Sequence, residues 1–347
     1  MLDAELRPLC DALIGRDIAV SDRSLVELAR AHRVDALLAQ RSGRQDAVRA
    51  AAAKALADER AIVEICEGAR QRNVDLLILK GTALAYTHYP VPHSRPHDDI
   101  DLFIRHRDRA AMADVLTRLG YVRDAEADAE VWTGQCHYAR RSASGATVID
   151  VHWRVVNPVV FVGAIDFELA WRRSIAIPAL GPSARTLRPS DTLLLACIHR
   201  VAHHRDRVDL LWLWDVHLLA SRMTEAEFTE FEAAAFESKA ARVSARGLSL
   251  AVECFDTPVP RALLERLRDA RDEPSAAFLN TALSPFDVAL TDWSALGGWR
   301  ERATLLREHL LPPASYMRQR YPACPAVLLP FAYLHRIAAG APRWFSR

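Results

Sequence analysis

Residues 97–104 read His-Asp-Asp-Ile-Asp-Leu-Phe-Ile, and no other stretch of this 347-residue chain constrains the fold as strongly. Successive side chains of a strand point to opposite faces. Ile100 and Leu102 therefore turn toward a core, Asp99 and Asp101 share the opposite face, and Asp98 does not share it. A carboxylate in a strand is costly to desolvate unless something pairs with it. Two readings are open: a solvated edge whose acids deter aggregation, or a pair that holds a cation.

Around this strand the pattern is mostly helical. Residues 1–73 read as a helical lead, closing with a long alanine-rich helix whose inner face includes Leu56, Ile62, Val63 and Cys66. An α/β unit follows over 74–185. It opens with the apolar run DLLILK, turns at Lys80-Gly81-Thr82 into a short helix, and crosses a proline-rich loop to the acidic strand. GQCHYARRS and ATVIDVHW then alternate like paired strands around a turn at Ser144-Gly145. Residues 186–347 read as a helical half. Ser190 and Asp191 supply cap chemistry for LLLACIHRVAHH, and LLWLWDVHLL follows closely. The apolar segment 325–334 is short and contains prolines, so it reads as core and not as a membrane span. The expected class is α+β, a small mixed sheet with helices on both sides of it in sequence.

Charge is balanced, with 45 basic and 44 acidic residues, which argues against nucleic-acid binding through a global positive field. Six scattered cysteines without a CxxC pair suit reduced thiols better than a disulfide framework or zinc site. The start MLDAELRPLC has no signal-peptide pattern, so the expected setting is cytoplasmic. His199 and His203 have metal-ligand spacing on a helix, but Arg200-Val201-Ala202 lacks the glutamate of HExxH. With His204 and Arg207 they read either as contacts to acceptor or nucleotide, or as a structural network. His152 and Trp153 read as packing, Trp212 and Trp214 as core, and Arg336 with Arg343 and Arg347 as a solvated basic end.

If the strand carrying Asp150 pairs beside Asp99 and Asp101, three carboxylates converge and repel unless a cation lies between them. Oxygen ligands of this kind suit Mg²⁺ or Mn²⁺, and two such ions roughly 3.5–4 Å apart clamp an in-line phosphoryl transfer. The Lys80-Gly81-Thr82 turn lies between strand and helix, where free N–H groups bind phosphate and glycine permits close approach.

The series KGTALA, RPHDDIDLFI and VIDVHWR resembles the nucleotidyltransferase superfamily of polymerase-β type. More narrowly, it resembles a bacterial family with lysine-glycine where most relatives have glycine-serine or glycine-glycine. That resemblance implies a Mg²⁺-dependent enzyme moving NMP from an NTP to an acceptor with loss of pyrophosphate. It implies that Asp99 and Asp101 are the metal-binding pair, and that Asp150 holds the catalytic metal and helps deprotonate the acceptor. Lys80, Gly81, Thr82 and Arg95 take the nucleotide, although threonine replaces the usual serine or glycine at 82. The acceptor is left open among a small molecule, a peptide, a protein side chain and a tRNA end. No basic, aromatic-rich stretch supports RNA. The alternative is a catalytically silent module of the same fold that binds nucleotide or a partner.

Overall fold

The computed structural model describes residues 4–16, 23–42, 45–123, 134–142 and 145–344. Four helices lead: α1 (Arg7–Leu13), α2 (Arg23–Ala31), α3 (Asp35–Ser42) and α4 (Gln45–Gln71). On α4 the buried stripe is Ile62, Ile65, Cys66 and Ala69, the i+3/i+4 spacing of one helical face. Leu56 and Val63, expected on that face, are exposed because they fall a fraction of a turn away from it.

The central unit runs β1 (Leu76–Ile78), α5 (Lys80–Thr87), β2 (Ile100–Ile104), α6 (Arg109–Arg118), β3 (Val122–Arg123), β4 (Gln135–Ser142), β5 (Gly145–His152), α7 (Phe167–Arg173), β6 (Ile175–Ala176) and β7 (Arg185–Thr186). Its strands form one mixed sheet in the order β3-β4-β5-β2-β1-β7-β6. β2 with β5 and β1 with β7 are parallel, and the other neighbours are antiparallel. The fold is α+β, as the sequence pattern implies. The β4–β5 hairpin closes at Ser142 opposite Gly145, and Ser144 of the expected turn lies outside the described residues.

Alternation along β2 sorts two cores. Ile100, Leu102 and Ile104 pack with Ile149 and Val151 of β5 against Ile62 and Ile65 of α4 and Met112 and Leu116 of α6. Phe103, with Leu77 and Leu79, joins a larger core built with the helical half. Each fully buried Leu, Ile or Phe contributes about 1.5–3 kcal/mol. Side chains at 101, 150 and 152 alternate with the first set and so face the helical half.

That half comprises α8 (Pro189–His204), α9 (Leu210–Ala220), α10 (Glu225–Glu237), α11 (Ala241–Phe255), α12 (Arg261–Arg268), α13 (Pro285–Ala295), α14 (Trp299–Leu310), α15 (Ala314–Arg320) and α16 (Leu329–Trp344). α8 starts at Pro189, ahead of the Ser190-Asp191 cap that the sequence suggests. Pro189 takes the first helical position, where its missing N–H costs nothing, and Arg188 is the N-cap. Ser190 instead donates to Glu230, and Asp191 accepts from Arg188.

Segment 325–334 is not core. Val327, Phe331 and Leu334 are exposed because their i, i+4, i+7 spacing puts them on one outward stripe, while Ala332 packs inward. Residues 345–347 of the basic end lie outside the described residues. The six cysteines are free, and among the described residues no helix is long and apolar enough to cross a membrane.

Candidate active site

Parallel pairing of β2 with β5 sets Asp101 beside Asp150 and Phe103 beside His152. All three polar side chains are buried. Asp101 Oδ1 accepts from Lys80 Nζ and from His152 Nε2, each at 2.7 Å. A carboxylate only accepts, so His152 carries its proton on Nε2. Its Nδ1 is left as a buried acceptor without a partner among the described residues. Across the hairpin, His137 of β4 faces Asp150, and its Nδ1 donates to Asp150 Oδ1 at 2.5 Å. Gln135 Nε2 lies 3.2 Å from the other nitrogen of that ring. One oxygen of each aspartate, Oδ2, has no hydrogen-bond partner among the described residues.

Burial pushes the Asp101 carboxyl up, but the Lys80 ammonium and the His152 hydrogen bond override it and hold Asp101 well below the usual carboxylate range. Asp99 behaves oppositely. Burial, then the charges of Asp101 and Asp150, raise it to about 6, and Lys80 offsets only part of this. Burial and the nearby Lys80 charge lower His152, keeping it neutral despite its bond to Asp101.

Asp101, Asp150 and His152 offer ligand atoms within 4.8 Å of one another. Asp99 is not part of that group. It sits in the bend before β2, half-buried, and its carbonyl accepts from Thr82 Oγ1 at 3.3 Å. The group within one ion's reach is thus two carboxylates and an imidazole. Two free carboxylate oxygens and an acid raised by burial and then by the charges of its neighbours fit a divalent cation.

Lys80 opens α5 with φ of +50°, a left-handed conformation that costs a residue with a side chain roughly 1–2 kcal/mol. Leu79, the N-cap, supplies no side-chain cap, so the first N–H groups of α5 are open beside the acids. At position 81 only glycine fits, since a Cβ there would lie 2.8 Å from Arg95 Nη1. Arg95 itself is buried and forked onto Asp215 of α9 at 2.6–3.2 Å, with Tyr89 donating to the same carboxylate at 2.7 Å. The arginine floors the turn from beneath.

Three histidines of α8 stand over the acids. His199 lies 5.1 Å from His203 and 4.8 Å from His204, centroid to centroid, and His204 stacks on Trp212 at 3.7 Å beneath Arg33. Burial, followed by the Lys80 charge, lowers His203 to about 3. His204 falls to about 4 through burial, then Arg33 and Lys80. These neutral rings do not gather their nitrogens into a metal-binding group. Arg207 is mostly exposed, 3.9 Å from Asp209. Trp214 is core, as expected, whereas Trp212 is half-buried in the stack.

A small cavity of about 40 Å³ touches Lys80, Gly81, Arg95, His199 and Trp212. A larger cleft, about 840 Å³, is lined by Arg107, Arg109, Cys136, Tyr138, Trp153 and Arg307, and neither space is lined by Asp99, Asp101 or Asp150.

Reading His152 as packing overlooked its place on Asp101. Its i, i+2 relation to Asp150 is the same signal that pairs Asp99 with Asp101. His137 required the hairpin register as well.

No curated protein matches the chain. The sequence model of the uncharacterised nucleotidyltransferase family matches residues 19–256, more than half of the chain, from α2 through α11. That span includes the Lys-Gly turn, both strand aspartates and the histidines above them. The chain belongs to the uncharacterised nucleotidyltransferase family.

Proposed function

We propose that the chain transfers NMP from an NTP to an acceptor hydroxyl or phosphate, in a reaction that depends on Mg²⁺ or Mn²⁺. The acceptor oxygen bonds to the α-phosphorus, the bond between the α-phosphorus and its bridging oxygen to the β-phosphate breaks, and pyrophosphate leaves. The observation that carries this reading is the pairing of Asp101 with Asp150 in one register, with an unpartnered oxygen on each. These two carboxylates hold the cation, with Asp99 at its edge. When bound, the ion supplies positive charge against the phosphate and attacking oxygens.

The chain's own groups do the rest. The open N–H groups of Gly81 and Thr82 take triphosphate oxygens, and Arg95 keeps the turn in place from below. His137 orients Asp150, which receives the acceptor's proton. His152 fixes the rotamer of Asp101. His203 and His204 with Trp212 offer a neutral, ring-lined wall for a base or acceptor, with Arg207 at its rim.

Incubating the chain with each α-³²P-labelled NTP and Mg²⁺ in a lysate tests the proposal. Wild type labels an acceptor species and Asp99→Ala/Asp101→Ala does not. Equal labelling by both removes the catalytic reading, and tight NTP binding with no pyrophosphate release for any acceptor favours the silent module.

A further inference from the structure

Lys80 does not point away from the acids toward an incoming phosphate. Its ammonium is mostly buried and lies 2.7 Å from Asp101 Oδ1, on the oxygen that also receives His152. The backbone adopts a left-handed conformation at that residue, which a side chain disfavours, and the carboxylate contact is made from there. Lys80 charge also acts on Asp99, His152, His199, His203 and His204.

Asp101 Oδ1 is filled by two donors and Asp150 Oδ1 by His137, leaving one free oxygen on each strand aspartate. The group within reach of one ion is Asp101, Asp150 and His152, and Asp99 lies outside it. If the first ion takes Asp101 Oδ2, a second ion between Asp99 and Asp101 would have to compete with Lys80 and His152 for Oδ1. Three aspartates carry three negative charges when all are ionised, and one divalent ion with one ammonium carries three positive charges.

We infer that Lys80 is a resident cation that takes the place of the second metal ion, so that the site works with one divalent ion and one ammonium. This rests on the transferase reading for its purpose but not for its measurement. A lysine in this role limits the metal requirement to a single site and fixes one positive charge whatever the metal supply.

Mn²⁺ bound per full chain, titrated by electron paramagnetic resonance in the presence of α,β-methylene-ATP, tests it. Wild type takes one ion. Lys80→Gly, whose backbone accepts the left-handed conformation without strain, takes two. Lys80→Arg, which keeps the charge, takes one, and circular dichroism verifies that each variant is folded. Any other set of counts overturns the inference, including two ions in wild type, which would mean that Lys80 yields to metal when nucleotide binds. Failure of the transferase reading shows separately: counts of one, two and one without pyrophosphate release from any NTP sink the transfer and leave the role of Lys80 standing.

Discussion

Asp101 is the residue on which most of the site's contacts meet. It is buried in the sheet, holds Lys80 and His152 on one oxygen, and presents the other. Removing the imidazole leaves Lys80 as the one side-chain donor on Asp101 and takes away the nitrogen of the ligand group. His152→Ala is expected to weaken Mn²⁺ binding by about 10–100-fold, the usual effect of removing such a partner, with little change in NTP affinity. Isothermal titration of each ligand checks this. Gly81→Ala acts differently, because the added methyl meets the Arg95 guanidinium, which cannot retreat from Asp215. Overpacking of this kind costs about 1–3 kcal/mol, measurable as a lowered midpoint in urea. At this scale the sequence was legible where strand alternation alone decides the face, as for Asp101 against Ile100 and Leu102, and not for Asp99, which lies in the bend before the strand. It was not legible for His137, because only the hairpin register brings that ring to Asp150. Nor does position in the sequence show that Arg95 binds Asp215, 120 residues away.

Helix α8 illustrates what a single element adds. It carries His199, His203 and His204 on its last turns, over Lys80, and burial holds all three neutral. Their folded values lie below the ordinary histidine value of 6.5, so the unfolded chain binds more protons between the two. Stability is therefore fully present above about pH 6.5 and is lost as pH falls below it. The melting temperature should drop on acidification from pH 7 to pH 5, and His203→Gln should flatten that slope. An unchanged slope would remove His203 from the account. The sequence announced the helix and its histidine spacing, yet the choice between structural network and contact surface depended on Trp212, which stacks on His204 instead of entering the core.

Across the whole molecule, two cores share one sheet, and the candidate site lies on the face turned to the helical half. The class and the four longer strands could be read from the alternation of apolar runs, whereas β3, β6 and β7, two residues each, are too short to leave a pattern. The outward stripe of Val327, Phe331 and Leu334 could not, since apolar composition does not say which way a helix turns. Asp292 of α13 ties the last third of the chain back, accepting the Val160 N–H at 3.4 Å. Burial raises its carboxyl from 3.8 to about 6, despite hydrogen bonds from the Val160 and Val159 backbone. A raised acid favours the folded state below its unfolded value and loses that contribution as pH rises through about 6, at a cost near 3 kcal/mol at neutral pH. Asp292→Asn is expected to raise the melting temperature at pH 7.5, with the gain vanishing below about pH 4.

The central claim, that the two paired strand aspartates carry nucleotidyl transfer, is tested most directly through Asp150. Pyrophosphate release from the preferred NTP, measured with acceptor and Mg²⁺ for wild type and Asp150→Asn, is predicted to fall by at least about 10²–10³-fold in the variant, the loss typical of removing one transition-state contact. Release at the wild-type rate from a folded Asp150→Asn chain would contradict the account.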